Sequence, residues 1–358
     1  MLDWLLRSSF NPLTTVAVWS IAAVLVATIV LFAYTLGLRV ATITSRRRRT
    51  NLVLRWRDVF ASAVMSARNA GKVALPPLRK AHRTDVLEEW NRIRDSVQGE
   101  AADNLIVLGE RMGLVDVARR RLARRALKSQ VLAVQTLGHL RDRDRYDAIA
   151  ALLPHPNLAL SITAAVALVD IDADRAVGVL VPMIEERRDW PRNRVSMFLR
   201  MAGSERISEP MYRAIRAADD ETRVYLLQFA RLIEPEVLDA LLNELIRTTN
   251  DAGVLSAALK MVSGLSTVPR IAALTRHSTW FVRMHAAQVL GQLGQREHLS
   301  LLEAMLDDPE WWVRYRAAQA ITALPFMGPN NLRRMYERQT DRYAADMLRQ
   351  ACAEVGLA

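Results

Sequence analysis

A chain of 358 residues with 49 Lys/Arg, 38 Asp/Glu and one cysteine is long enough for more than one folded unit and cannot close a disulfide within itself, as expected in a reducing compartment. Its net charge of +11 is uneven: residues 39–128 hold 21 basic and 9 acidic side chains, whereas residues 129–358 hold 27 and 28. The larger C-terminal part therefore lacks the basic excess that nucleic acid demands, and no nucleic-acid partner is expected.

Residues 1–12 read as a short extracytoplasmic N-terminus. Residues 13–38 are mostly apolar, with no charge between Ser8 and Leu38, and exceed the roughly 20 helical residues that span a bilayer. A cleavable signal peptide has a shorter apolar core and a small-residue cleavage site, and a soluble core helix rarely runs so long, so a retained transmembrane helix is predicted. Only Arg7, offset by Asp3, precedes the span, while Arg39, Arg46, Arg47, Arg48, Arg49, Arg55 and Arg57 come after it. Positive residues stay inside, which puts the N-terminus out and residues 39–358 in the cytoplasm of a bacterial inner membrane. The Arg46–Arg49 run sets topology, with anionic lipid as a second contact at about 1 kcal/mol per basic residue.

Residues 39–113 read as basic juxtamembrane helices and an N-terminal cap on the helical repeats that follow. Asn51–Arg68 is amphipathic, and either packs as an N-terminal cap on the helices C-terminal to it or continues the membrane helix or lies in the interface. Pro76 and Pro77 break the chain. Thr84 is the expected N-cap of a helix whose Val86, Trp90, Ile93 and Val97 share a face, and Glu100–Arg111 is the next helix.

Residues 114–358 carry a repeat. Small or aliphatic anchors recur at Ala133, Ala164, Val195, Leu226, Ala257, Ala286, Ala317 and Leu348, a step of 31 residues broken once by 29. Four residues on stand Leu137, Leu168, Leu199, Ala230, Met261, Leu290, Ile321 and Cys352; seven on stand Leu140, Ile171, Ala202, Ile233, Gly264, Leu293, Leu324 and Val355. The i, i+4, i+7 spacing is one helical face, which a lone unit cannot bury but a stack can. Each unit reads as a helix pair, clearest where His298–Leu306 leads through Asp307, Asp308 and Pro309 to Glu310–Leu324. The prediction is an all-α chain: a membrane helix and then a solenoid of about eight helix pairs.

Chemistry-bearing motifs are missing. There is no phosphate-binding glycine loop, no C-x-x-C and no H-E-x-x-H, and none of the six histidines has a His or Cys at i+3 or i+4. No catalytic residue, metal or cofactor is assigned. Asp142-Arg143-Asp144 and Asp170-Ile171-Asp172 fall at turns, where capping accounts for them.

The segment Asp308-Pro309-Glu310-Trp311-Trp312-Val313-Arg314-Tyr315-Arg316-Ala317-Ala318 resembles a short form of the HEAT repeat. The resemblance implies a right-handed α-solenoid with the anchor helices on its concave face. It also implies a ladder between repeats from an Asp in the turn and an Arg six residues on, which Asp308 and Arg314 match; His277 before Arg283 and Ala217 before Arg223 do not. His285, Gln288, Arg316 and Gln319 occupy parallel positions off the buried stripe and are candidate partner-binding residues. Trp280, Trp311 and Trp312 are of a type enriched in interfaces that also fills gaps between helices. With its span and its closing Asp341–Leu348 segment, the chain resembles bacterial membrane-anchored HEAT-repeat proteins that accompany envelope glycosyltransferases. That implies a scaffold, not an enzyme, docking a protein partner at the membrane, with polysaccharide biosynthesis as the setting. HEAT-like bilin lyases and DNA-repair glycosylases are the rival readings; the span is foreign to the first and the neutral repeats to the second.

Overall fold

The computed structural model describes residues 12–65, 71–79, 82–262, 268–354 and 356. A sequence rich in Ala, Leu and Val, with no proline after its first position, carries helix α1 unbroken over Pro12–Met65, 54 residues, or about 81 Å at 1.5 Å per residue. Within it Val18–Val40, 23 residues of mean hydropathy 2.4, has none of its side chains buried, where a core helix would bury them. The Arg46–Arg49 run lies on this helix, but its side chains fall outside the described residues, as do residues 1–11.

The chain divides into two compact units, residues 1–124 and 125–358. In the first, the amphipathic stretch after the apolar run continues α1, and its last turns enter a core. Trp56, Val59, Phe60 and Ala63, spaced three and four apart, are buried against α2 (Arg83–Asp95) and α3 (Glu100–Arg111). Trp90 is fully buried and donates its indole N–H to the Leu105 carbonyl at 3.1 Å. Helix α4 (Leu114–Leu122) completes this unit. Thr84 is not the N-cap expected of it: α2 starts at Arg83 after His82, and the Thr84 hydroxyl accepts from Arg121. Val97 lies past the end of α2 and, like Ile93, is half-buried; Val86, Leu87 and Trp90 form the buried face.

The second unit alternates first and second helices. The second helices are α5 (Leu127–His139), α7 (Leu158–Ile171), α9 (Arg192–Ala202), α11 (Asp220–Leu227), α13 (Ala252–Leu259), α15 (Trp280–Leu293), α17 (Trp311–Ala323) and α19 (Arg342–Glu354). The first helices between them are α6 (Tyr146–Ala150), α8 (Ala173–Glu186), α10 (Ser204–Ala217), α12 (Pro235–Thr248), α14 (Val268–Leu274), α16 (Leu299–Ala304) and α18 (Pro329–Arg338). Each kind stacks on the next of its own kind, α15 on α17 on α19 and α8 on α10 on α12, which is a solenoid. No strand occurs among the described residues.

Short polar side chains start these helices by satisfying free backbone N–H groups. Asn157, Asp172, Asp219 and Asp251 accept from Leu160, Arg175, Thr222 and Val254 at 2.8–3.2 Å. Asp172, in one of the acidic tripeptides, is thus a cap. The anchors Ala133, Ala164, Val195, Leu226, Ala286, Ala317 and Leu348 are all buried. In the remaining repeat the expected anchor is displaced: Ala257 is half-buried and Ala258 fully buried, and Met261 is also half-buried. One residue inserted before α13 shifts that helix by 100° per residue of its 3.6-residue period. Gly264 and Val355 lie outside the described residues, and Leu293 and Cys352 are half-buried.

Two junctions are closer than side chains other than hydrogen allow. A methyl at Gly138 would stand 2.6 Å from the Cβ of Ala167, and one at Gly291 would stand 2.6 Å from the Cβ of Ala320. Glycine facing alanine therefore sets the approach of α5 to α7 and of α15 to α17.

Candidate docking surface

The turns between paired helices are built alike with different side chains. His155, Thr249, His277 and Asp308 each accept the N–H two residues on, at 2.9–3.1 Å. An imidazole, a hydroxyl and a carboxylate serve one local purpose, so the turn survives without aspartate. A charge ladder does not. Asp308 pairs with Arg283 of the preceding repeat, whereas Arg314 donates to the carbonyls of Asp308 and Pro309 at 2.7 and 3.0 Å within its own turn. Arg223 likewise donates to the carbonyls of Ile215 and Ala218. Among the described residues the ladder implied by Asp308 and Arg314 is thus one rung, from Arg283 to Asp308.

The outward face of the second helices carries positions one before, two after and six after each anchor, which fall within about 60° of one another on a helix. Two after the anchors stand Gln228, Lys260, Gln288, Gln319 and Gln350, a polar row along five successive repeats. Counting from Ala258 brings Lys260 into that row; the 29-residue step read from sequence hides it. Charge is segregated too. Among α9, α11, α13, α15 and α17 the only acidic residues are Asp220 and Glu221 in the first turn of α11. The first helices α8, α10 and α12 hold Asp174, Glu185, Glu186, Glu205, Glu209, Glu236, Asp239 and Glu244. A near-neutral unit thus shows a basic side.

At the C-terminal end the row is cross-linked. Gln319 donates to Tyr315 at 2.7 Å and to Glu354 at 3.0 Å; Tyr315 donates to Glu354 at 2.8 Å, and Arg316 to Gln319 at 2.8 Å. Hydrogen bonds from Gln319 and then Tyr315 hold the Glu354 carboxyl below its ordinary range.

Of the four helix-face candidates, Gln288, Arg316 and Gln319 are partly exposed. His285 is not free: only 9% exposed, it lies within the helix stack. Burial, then Lys260 and Arg316, push its pKa down to about 4. Position before the anchor does not dictate exposure: Tyr225 and His285 are buried there, whereas Arg194 is exposed. Trp280, Trp311 and Trp312 are 37%, 39% and 51% exposed. Trp311 stacks on Tyr315 at 5.1 Å and meets Trp312 edge-on at 4.7 Å, so these rings form an exposed aromatic edge at the starts of α15 and α17. Among the described residues no group of three or more His, Cys, Asp or Glu side chains is placed to hold a metal.

The model of a family described as HEAT repeats matches residues 238–322. No curated protein matches the chain. Among solved structures, an engineered protein aligns at 15% identity and TM-score 0.33, covering 84% of this chain and 94% of its own. Kap121p bound to Ste12p aligns at 12% identity and TM-score 0.42, covering 81% of this chain, which spans 43% of that one. Kap121p bound to RanGTP aligns at 12% and 0.40, covering 83% and 43%. At these scores the structural likenesses carry no argument about function.

Proposed function

We propose that this chain, a HEAT-repeat protein, is a membrane-anchored scaffold whose solenoid docks a protein partner at the cytoplasmic face. The observation that carries the reading is α1. It exposes a mostly apolar stretch of 23 residues, Val18–Val40, on the same continuous helix whose Trp56 and Phe60 are buried in a folded core. Exposed apolar surface of that extent is unfavourable in water by about 25 cal/mol per Å², and lipid removes the penalty. The helix continues without a joint, so the span would be rigidly coupled to the first unit. Arginines after the span support an N-out, C-in topology in a bacterial inner membrane.

Solenoids present extended surfaces to partners, and the outward second-helix face and the tryptophan edge are the surfaces offered here. No catalytic step is proposed. The resemblance to proteins that accompany envelope glycosyltransferases makes such an enzyme, in polysaccharide assembly, the first partner to test. Cross-linking in intact membranes, with recovery of the tagged chain, tests the reading. A discrete partner that is lost when residues 125–358 are deleted supports it; partner-free chain in the membrane, or chain recovered wholly in the soluble fraction, overturns it.

A further inference from the structure

Helix α15 packs against α13 on one side and α17 on the other, and Lys260, His285 and Arg316 come from these three successive repeats, the two cations near enough to act on His285. None of the three has an acidic side chain in hydrogen-bond or ion-pair contact among the described residues, and within the buried part the His285 Nδ1 and Arg316 Nε atoms lack a hydrogen-bond partner. With His285 neutral, Lys260 and Arg316 are two cations on one face with no carboxylate in contact, and a bound anion would supply the missing negative charge.

One step further along the stack the same architecture holds a carboxylate. There Glu354, six after its anchor, accepts from Gln319 and Tyr315. One repeat earlier, Gln288 takes the place of Gln319, while Ala323 stands in the place of Glu354. The amide remains and the internal carboxylate is absent. Exposed Arg231 adds another cation, donating to the Lys260 carbonyl at 2.9 Å, and exposed Arg194 stands one before its anchor at Val195. Cations in four of five consecutive repeats, with Gln288 and Gln319 beside the last of them, match a chain bearing several carboxylates better than one small anion.

We propose that this face is a carboxylate-binding site for an acidic, extended segment of a protein partner, in which Lys260, Arg316 and Gln288 hold a Glu or Asp side chain above His285. The inference rests on the scaffold reading and names the chemistry of its partner. Lys260 and Arg316 supply charge-assisted hydrogen bonds, and Gln288 supplies an amide N–H as Gln319 does to Glu354. His285 is the floor of the site and does not need to touch the ligand. A negative charge arriving over it cancels the field of the two cations, so its proton affinity rises on binding.

The test uses the full chain in detergent and a fluorescein-labelled ten-residue peptide of alternating Glu and Ser, with the Gln/Ser peptide as its neutral counterpart. Salt-sensitive binding of the Glu peptide alone is expected, weakened about tenfold or more by Lys260→Gln with Arg316→Gln, since each 1.4 kcal/mol lost is tenfold. Arg213→Gln with Arg333→Gln, exposed first-helix positions, should leave it unchanged. Lys260→Arg with Arg316→Lys keeps both charges and should retain binding, which separates charge from folding. His285, monitored by NMR of ring-labelled histidine, should titrate at higher pH with the peptide bound. Equal binding of the two peptides, indifference to the Gln pair, or displacement of the Glu peptide by inorganic phosphate or phosphatidylglycerol vesicles at lower concentration than by unlabelled peptide would each overturn the proposal. Such failure leaves the scaffold reading standing if a membrane partner is still recovered through residues 125–358.

Discussion

Arg283 of one repeat grips Asp308 of the next with both arms, Nε to Oδ2 at 2.7 Å and Nη2 to Oδ1 at 2.8 Å, and the two side chains are only 12% and 8% exposed. The remaining arm of Arg283 donates to the carbonyls of His277 and Ser278, while Asp308 also accepts from the Glu310 N–H. One ion pair thereby ties two inter-helix turns together. Removing one partner strands the other in a largely dry place, so Asp308→Ala should destabilise the second unit by about 3 kcal/mol or more. Denaturant unfolding checks this; Arg283→Met with Asp308→Leu should be far less harmful than either change alone.

The glycine junctions predict opposite outcomes for one substitution at two sites. Gly291→Ala drives a methyl to 2.6 Å from Ala320 Cβ and should lower stability by about 1–3 kcal/mol. Gly178→Ala, in the exposed middle of α8 with no atom near its new methyl, should raise stability by about 0.5–1 kcal/mol. Thermal unfolding of the two variants decides, and Ala320→Gly should restore part of what Gly291→Ala loses.

The displaced anchor can be tested directly. Ala258 is fully buried and Ala257 half-buried, so Ala258→Asp buries an unpaired carboxylate and should destabilise by several kcal/mol. Ala257→Asp should cost much less. The reverse order in limited proteolysis would restore the register read from sequence. Leu290→Asp, at a fully buried position on the stripe, should unfold the C-terminal repeats in either register.

His285 predicts an acid sensitivity. Its pKa falls from 6.5 to about 4 on folding, through burial first and then Lys260 and Arg316. Between those values the unfolded chain binds a proton that the folded chain refuses, so this stabilising contribution is complete above pH 6.5 and is lost as pH falls toward 4. The slope attributable to one group is at most about 1.4 kcal/mol per pH unit. His285→Gln should flatten the stability profile in that window; an unchanged profile would mean that the imidazole is already charged in the folded chain.

The repeat, the helix pairs and the apolar run were legible in the order of residues, because the 3.6-residue period of a helix writes burial into sequence spacing. Ala133, Ala164 and Leu290 are buried for that reason, and a 31-residue step reports stacking before any contact is known. What spacing cannot carry is the neighbour across the junction. The partner of Asp308 is Arg283, 25 residues back, because the turn of one repeat lies over the second helix of the previous one. The charges that lower the His285 pKa come from Lys260 and Arg316 in the two neighbouring repeats, and the one-residue shift of α13 brings Lys260 into line. The juxtamembrane stretch posed the same question: amphipathicity suited both a cap and a continued span, and α1 is continuous to Met65 with Trp56 and Phe60 buried. Local periodicity determines which face of each helix is dry; only tertiary structure decides which side chains of separate repeats meet on the face left wet, since that depends on the angle and offset between helices, which no single helix encodes.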